Sequence, residues 1–328
     1  MPFYNSQVHF LHRQFFLTPS TPPPSFTLTG KSGLITGANT SLGYHAASHL
    51  LSLGVSRLIL AVRSLAKGEA AKTQLLNALP GALKQPQPQP QPPTIEVWEL
   101  DLASYPSIIA FVERLKTNTH GGLGLDFAIL NAGAANFAFT TCPSTGNEES
   151  IQLNWLGTAL LTLLLLPVLD ERAAAAKSAG HDHDASPVLT ILAARNQTTL
   201  LETLNAQSTF VSADRYATSK LLQQLFFVEL VRRRAAAPWS TGLNDDVPGV
   251  VGRVFEAVKR VVGRPVAVGA RTLVHAAVLA GIGSDGGILV TTAAGYGESP
   301  AGMGVRRRVW EEMIGELGGM VDGKVVVM

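Results

Sequence analysis

Short apolar runs alternate with amphipathic stretches along this chain, and that alternation limits the fold more than any single residue does. The runs "SGLITG", "RLILAV", "TIEVWEL", "LDFAILNAG" and "PVLTILAA" have the length and composition of strands. Between them, "YHAASHLLSLG", "LAKGEAAKTQLLNAL", "YPSIIAFVERLK" and "SIQLNWLGTALLTLLLLPVL" carry apolar residues at helical spacing. A strand that is apolar at nearly every position is buried on both faces. A parallel sheet meets that need, because right-handed crossovers lay helices over both of its sides. The expected fold class is therefore α/β, a doubly wound parallel sheet in a single domain. With 328 residues and 46% hydrophobic content, one large core is within reach.

The expected domain is 31–328, preceded by an arm, 1–30, whose "TPSTPPPS" stretch suits neither a helix nor a central strand. The low-complexity Pro/Gln segment at 85–93 reads as a solvated insert loop. The most apolar stretch, Trp155 to Leu169, falls short of the roughly 20 residues that span a bilayer and reads as a buried helix, so no membrane span is expected. A net charge of +2 with scattered basic residues gives no nucleic-acid footprint. The two Arg runs, Arg232 to Arg234 and Arg306 to Arg308, read as solvated helix faces or helix ends. Cys142 is the only cysteine, which excludes an intrachain disulfide and suits a reducing compartment. With no clean secretory signal, the expected location is cytoplasmic. His181 and His183 alternate with acids in what reads as an exposed polar loop, and no metal is expected.

The first strand runs into Thr36-Gly37-Ala38-Asn39-Thr40-Ser41-Leu42-Gly43 and then directly into a helix. Small residues let the backbone approach a pyrophosphate, whose charge is held by amides at the helix start. Three further motifs follow in order: Asp101-Leu102 after the third strand, Asn131-Ala132-Gly133 after the fourth, and Tyr216-Ala217-Thr218-Ser219-Lys220 opening a helix. Together these resemble the short-chain dehydrogenase/reductase family and its Rossmann fold over about residues 31 to 235. "TGANTSLG" and "LAVRSLAKGEAA" are most similar to its fungal, retinol-dehydrogenase-like branch. The resemblance implies that Gly37, Asn39 and Gly43 line the pyrophosphate, with Ser41 and Leu42 also binding the cofactor, that Asp101 and Leu102 flank the adenine, and that Asn131 lies on the ribose side.

NAD-binding versions of this fold place an acidic residue at the end of the second strand; this chain has Arg63 there, and no carboxylate from Arg57 to Leu65. A guanidinium suits a 2′-phosphate, so NADP is the expected cofactor. The resemblance makes Tyr216 the acid/base and Asn154 the organiser of a water relay. Lys220, four residues on and on the same helix face, favours the phenolate and reaches the nicotinamide ribose. The long helices around Trp155 and Leu221 form a dimer face in many members, which makes a homo-oligomer an expectation.

Three departures stand out. Ser41 replaces the middle glycine of the first turn. Ala193 and Ala194 occupy the positions of the family's catalytic serine, with Thr198, Ser208 and Ser212 as candidate substitutes. After "LQQLFFVELVRRR" no apolar run of strand length precedes a Pro-Gly; Pro248-Gly249 is rejected as the match because polar residues precede it, and the sixth strand is expected to be missing before the last, "GGILVTT". The leading reading is an NADP-dependent oxidoreductase interconverting a ketone and a secondary alcohol on a small lipophilic substrate, in the setting of fungal secondary-metabolite biosynthesis. The alternative is a cofactor-binding or scaffold protein with little redox activity, which Ala194 would explain. A third reading, non-redox chemistry such as dehydration in the same pocket, rests on the lost hydroxyl alone.

Overall fold

In the computed structural model the described residues are 25–79, 92–118, 124–178, 188–192, 201–234, 240–242 and 300–321. Six strands form one sheet: β1 (Ser32–Thr36), β2 (Arg57–Val62), β3 (Thr94–Glu99), β4 (Phe127–Leu130), β5 (Val188–Leu192) and β6 (Ser240–Gly242). Their order is β3-β2-β1-β4-β5-β6, and every pairing is parallel. The chain winds outward from β1 to one edge, then returns to start β4 on its other side. Such a reversal opens a crevice at the carboxyl ends of the central strands.

The unbroken apolar runs have a direct cause. Leu34, Ile59, Ala61, Ala128 and Leu130 face one core, while Ile35, Leu58, Leu60, Phe127 and Ile129 face the other. Alternate residues of β1, β2 and β4 thus enter opposite layers, as the two-residue period of a strand dictates. One layer is covered by α1 (Ser41–Ser52) and α2 (Leu65–Ala78). The other is covered by α3 (Tyr105–Asn118), α5 (Thr158–Ser178), α7 (Ser212–Arg234) and α8 (Pro300–Leu317). The described residues also include two short helices, α4 (Glu149–Ile151) and α6 (Leu201–Leu204).

Four expectations change. The sixth strand is present: Ser240, Thr241 and Gly242 pair with Thr190, Ile191 and Leu192 along the outer edge of β5. Strand pairing is made by backbone groups, so a three-residue strand of small polar residues leaves no apolar run in the sequence. "GGILVTT", Pro248-Gly249 and most of the 85–93 insert lie outside the described residues, as do His181, His183, Ala193, Ala194 and Thr198. The fold also begins before residue 31: Leu28 is buried and its amide donates to the Leu53 carbonyl at 2.7 Å.

The apolar helix is longer than its most apolar run. Glu149–Arg172 is 24 residues, long and apolar enough to cross a membrane by length and composition, yet 83% of its most apolar window is buried inside the protein. Finally, the solvated-face reading fits Arg307 and Arg308, whose partners are Glu311 and Glu312 on the next turn, but not Arg306. Arg306 is buried and its Nε donates to Glu229 Oε2 at 2.9 Å, tying α8 to α7, while Trp310 stacks on Phe226 at 5.8 Å.

Candidate active site

The glycine turn lies where β1 meets α1. Gly43 packs beneath it so closely that a Cβ there would stand 2.4 Å from the Gly37 oxygen and 2.6 Å from Asn131 Nδ2, which only glycine avoids. Asn131 fastens the turn from the end of β4, its amide donating to the carbonyls of Thr36 (3.1 Å) and Gly37 (3.3 Å), while the Ala132 amide donates to Thr36 Oγ1 at 2.9 Å. The Asn131 amide is therefore engaged with the turn's backbone. At the start of α1, Thr40 makes no side-chain cap bond. The amides of the first turn thus keep the donor capacity that suits an anion. Ser41 holds φ at +47°, the left-handed region that glycine would enter without strain.

One cavity of about 390 Å³ gathers the residues that the sequence points to. Gly37, Asn39, Ser41, Leu42, Arg63, Asp101, Leu102, Asn131, Tyr216 and Lys220 all line it. Gly43 and Asn154 stand behind the lining. Asp101 accepts from the Ala103 amide at 2.9 Å, and the Leu102 carbonyl accepts from Gln152 at 3.2 Å, which fixes the loop after β3. Sequence reasoning missed Lys67, which lines the cavity with Arg63 and Ser64; Ser64 caps α2 by accepting from the Lys67 amide at 3.5 Å. The signal was available, since Lys67 lies four residues after Arg63, in the first turn of the next helix.

At the other end, Asn154 lies in a π-helical turn, Gln152–Gly157, a widened geometry found often at functional sites. Its Oδ1 accepts from the Ala134 amide at 2.8 Å, and its Nδ2 donates to the Ala134 carbonyl (2.7 Å) and to Ser219 Oγ (2.9 Å). Ser219, also missed, passes the contact on by donating to the Tyr216 carbonyl at 2.7 Å. Gly133 separates Asn154 from Lys220: a Cβ there would meet Asn154 Oδ1 at 2.8 Å and Lys220 Nζ at 3.1 Å. Lys220 Nζ lies 6.0 Å from the centre of the Tyr216 ring and donates to Gln223 Oε1 at 3.2 Å. Burial lowers the Lys220 ammonium from its ordinary 10.5 to about 8. Of the candidate replacements for the serine, Ser208 is exposed and Ser212 opens α7; neither is among the described lining residues.

A short chain dehydrogenase family model matches residues 31–177. The short chain dehydrogenase/reductase mfmJ of Annulohypoxylon moriforme is 36% identical over 96% of this chain and 92% of its own length. The chain belongs to the short-chain dehydrogenase/reductase family. Another fungal family member, the short chain dehydrogenase virL of Hypocrea virens, is 34% identical over 97% of this chain and 93% of its own. Among solved structures, a 3-oxoacyl (acyl-carrier-protein) reductase of Agrobacterium tumefaciens with NADP bound covers 80% of this short-chain dehydrogenase/reductase and 93% of its own chain, with a TM-score of 0.54. Its identity is 18%, so that likeness speaks to the fold.

The cavity fits a nicotinamide dinucleotide. It has a small-residue turn at a helix N-terminus, cations at Arg63 and Lys67 on one side, and a phenol beside a buried ammonium on the other. Gly133 leaves open the space that a Cβ would fill between Asn154 and Lys220.

Proposed function

We propose that this family member is an NADP-dependent oxidoreductase that reduces a ketone, or oxidises a secondary alcohol, on a small lipophilic substrate. The observation that carries the reading is the convergence of Tyr216, Lys220 and the glycine turn on one cavity. When bound, the dinucleotide supplies or accepts a hydride. In reduction, the Tyr216 phenol gives its proton to the oxygen of the substrate carbonyl, and in oxidation the phenolate takes it back. Lys220 favours the phenolate by its charge. Asn154 holds the loop after β4 against α7, and with Ser219 it fixes the backbone that carries Tyr216.

Arg63 and Lys67 together favour NADP over NAD: two cations on adjoining elements suit a 2′-phosphate, where a carboxylate would repel it. The case for a lipophilic substrate rests on the segments flanking the cavity. Phe137 and Val211 are exposed, and Phe139 meets Phe210 edge-on at 5.8 Å. Phe137 follows Ala134 and Ala135 of the lining, and Phe210 precedes Tyr216 by six residues. The Phe210 loop is held from beneath by Arg215, which donates to the carbonyls of Leu204 (2.7 Å) and Thr209 (3.2 Å). The fungal relatives support a place in secondary-metabolite biosynthesis.

Ala194 favours a second reading, in which the protein binds cofactor but turns over little. Losing a donor to the substrate oxygen costs on the order of 10² to 10³ in rate. A screen of aryl and alkyl ketones that follows NADPH consumption separates the two. Turnover abolished by Tyr216→Phe supports the oxidoreductase; NADPH binding with no turnover of any ketone supports the second reading.

A further inference from the structure

We propose that Gln223 is a positioning residue for Lys220: its buried side-chain oxygen holds the ammonium beside Tyr216 and keeps it charged. The proposal rests on the reading of Tyr216 and Lys220 as the acid/base pair. Gln223 follows Lys220 by three residues on α7, so the two side chains share a helix face. It is fully buried, and its Oε1 accepts from Lys220 Nζ at 3.2 Å. An ammonium only donates, so the amide must present its oxygen to it.

Lys220 is itself buried, and Gln223 Oε1 is a buried acceptor for its ammonium. Burial brings Lys220 down to about 8, and each acceptor of its ammonium works against that lowering. A neutral acceptor supports the charge without cancelling it, which leaves the ammonium's field free to act on the phenol. A carboxylate at position 223 would hold the proton more firmly but neutralise that field. Lys220 shares its surroundings with the Tyr216 phenol on its own helix and the Asn154 amide of the π-helical turn. Asp101, Arg63 and Lys67 are the charged groups lining the same cavity.

The other end of the amide distinguishes positioning from simple support of the fold. Gln223 Nε2 is buried and has no hydrogen-bond partner among the described residues. An unpartnered buried donor costs stability, so replacing the amide by an apolar side chain removes that cost along with the bond to Lys220. A residue kept only for stability would behave in the opposite way.

The test is a titration of the full chain carrying lysine isotope-labelled at the ε-carbon, followed by nuclear magnetic resonance. The Lys220 signal is assigned by its loss in Lys220→Ala. The wild type is expected to titrate at about 8. Gln223→Leu should lower the midpoint by about one unit, and Gln223→Glu should raise it by about one unit or more. Gln223→Leu should also melt no lower than the wild type above about pH 8, where Lys220 is neutral. Should Gln223→Leu fail to fold, Gln223→Met, closer in shape, carries the same expectation. Midpoints unchanged in the folded variants would overturn the proposal, as would a large loss of stability with Lys220 unmoved. No cofactor or substrate enters the titration, so shifts in the expected directions support it whether or not the protein turns over.

Discussion

The two ends of the cavity are built on opposite plans. The nucleotide end is built from backbone and small residues: a turn with no room for a side chain at Gly43, amides at the start of α1, and two exposed cations, Arg63 and Lys67. The catalytic end is built from buried polar side chains. Asn154, Ser219 and Gln223 are fully buried, and Lys220 nearly so. Exposed charges attract a phosphate but are screened by salt, so on the proposed reading the first end sets affinity and the choice between dinucleotides. Buried groups keep their fields, so on the same reading the second end sets proton transfer. Variants at the two ends should therefore separate binding from rate.

Tyr216→Phe should separate them furthest: turnover falls about 10³-fold or more while the NADPH dissociation constant moves less than about threefold, by steady-state kinetics and fluorescence titration. A comparable loss of binding would mean that the ends are not independent. Raising pH through about 8 should come next, because Lys220 is charged below that value and neutral above it. Turnover should fall roughly tenfold within about one unit above the midpoint. Stability should move the other way. The unfolded chain keeps that proton up to 10.5, so the fold gains stability from about 8 to 10.5 while the site loses its cation; thermal melts across that range test the divergence.

At the nucleotide end, Arg63→Ala should weaken NADPH about tenfold more than NADH, and Lys67→Ala about threefold more, with both preferences shrinking in salt. The smallest effect is expected at the turn. Ser41 is held at a positive φ, so Ser41→Gly should stabilise the fold by about 1 kcal/mol, read as a rise of a few degrees in melting temperature.

What the sequence makes legible follows the same division. β2 occupies the run "RLILAV" from end to end: a strand buried on both faces is apolar at nearly every position, and its one charged residue, Arg57, pairs with Glu96 on β3. The glycine turn is equally plain, since close approach demands small residues at fixed spacing. Contacts between distant segments leave no such trace. Arg306 looks solvated in a run of three arginines because its partner, Glu229, lies 77 residues earlier. β6 has no apolar pattern because it borrows its register from the edge of β5. Ser219 and Gln223 sit among ordinary helical residues and acquire their roles only where Asn154 and Lys220 come to meet them.

The most direct test of the whole account is a fluorescence titration of the purified full chain with NADPH and with NADH at neutral pH, repeated on Arg63→Ala. The account predicts saturable binding of both, tighter for NADPH, with the difference reduced in the variant. A folded protein that binds neither dinucleotide would contradict it.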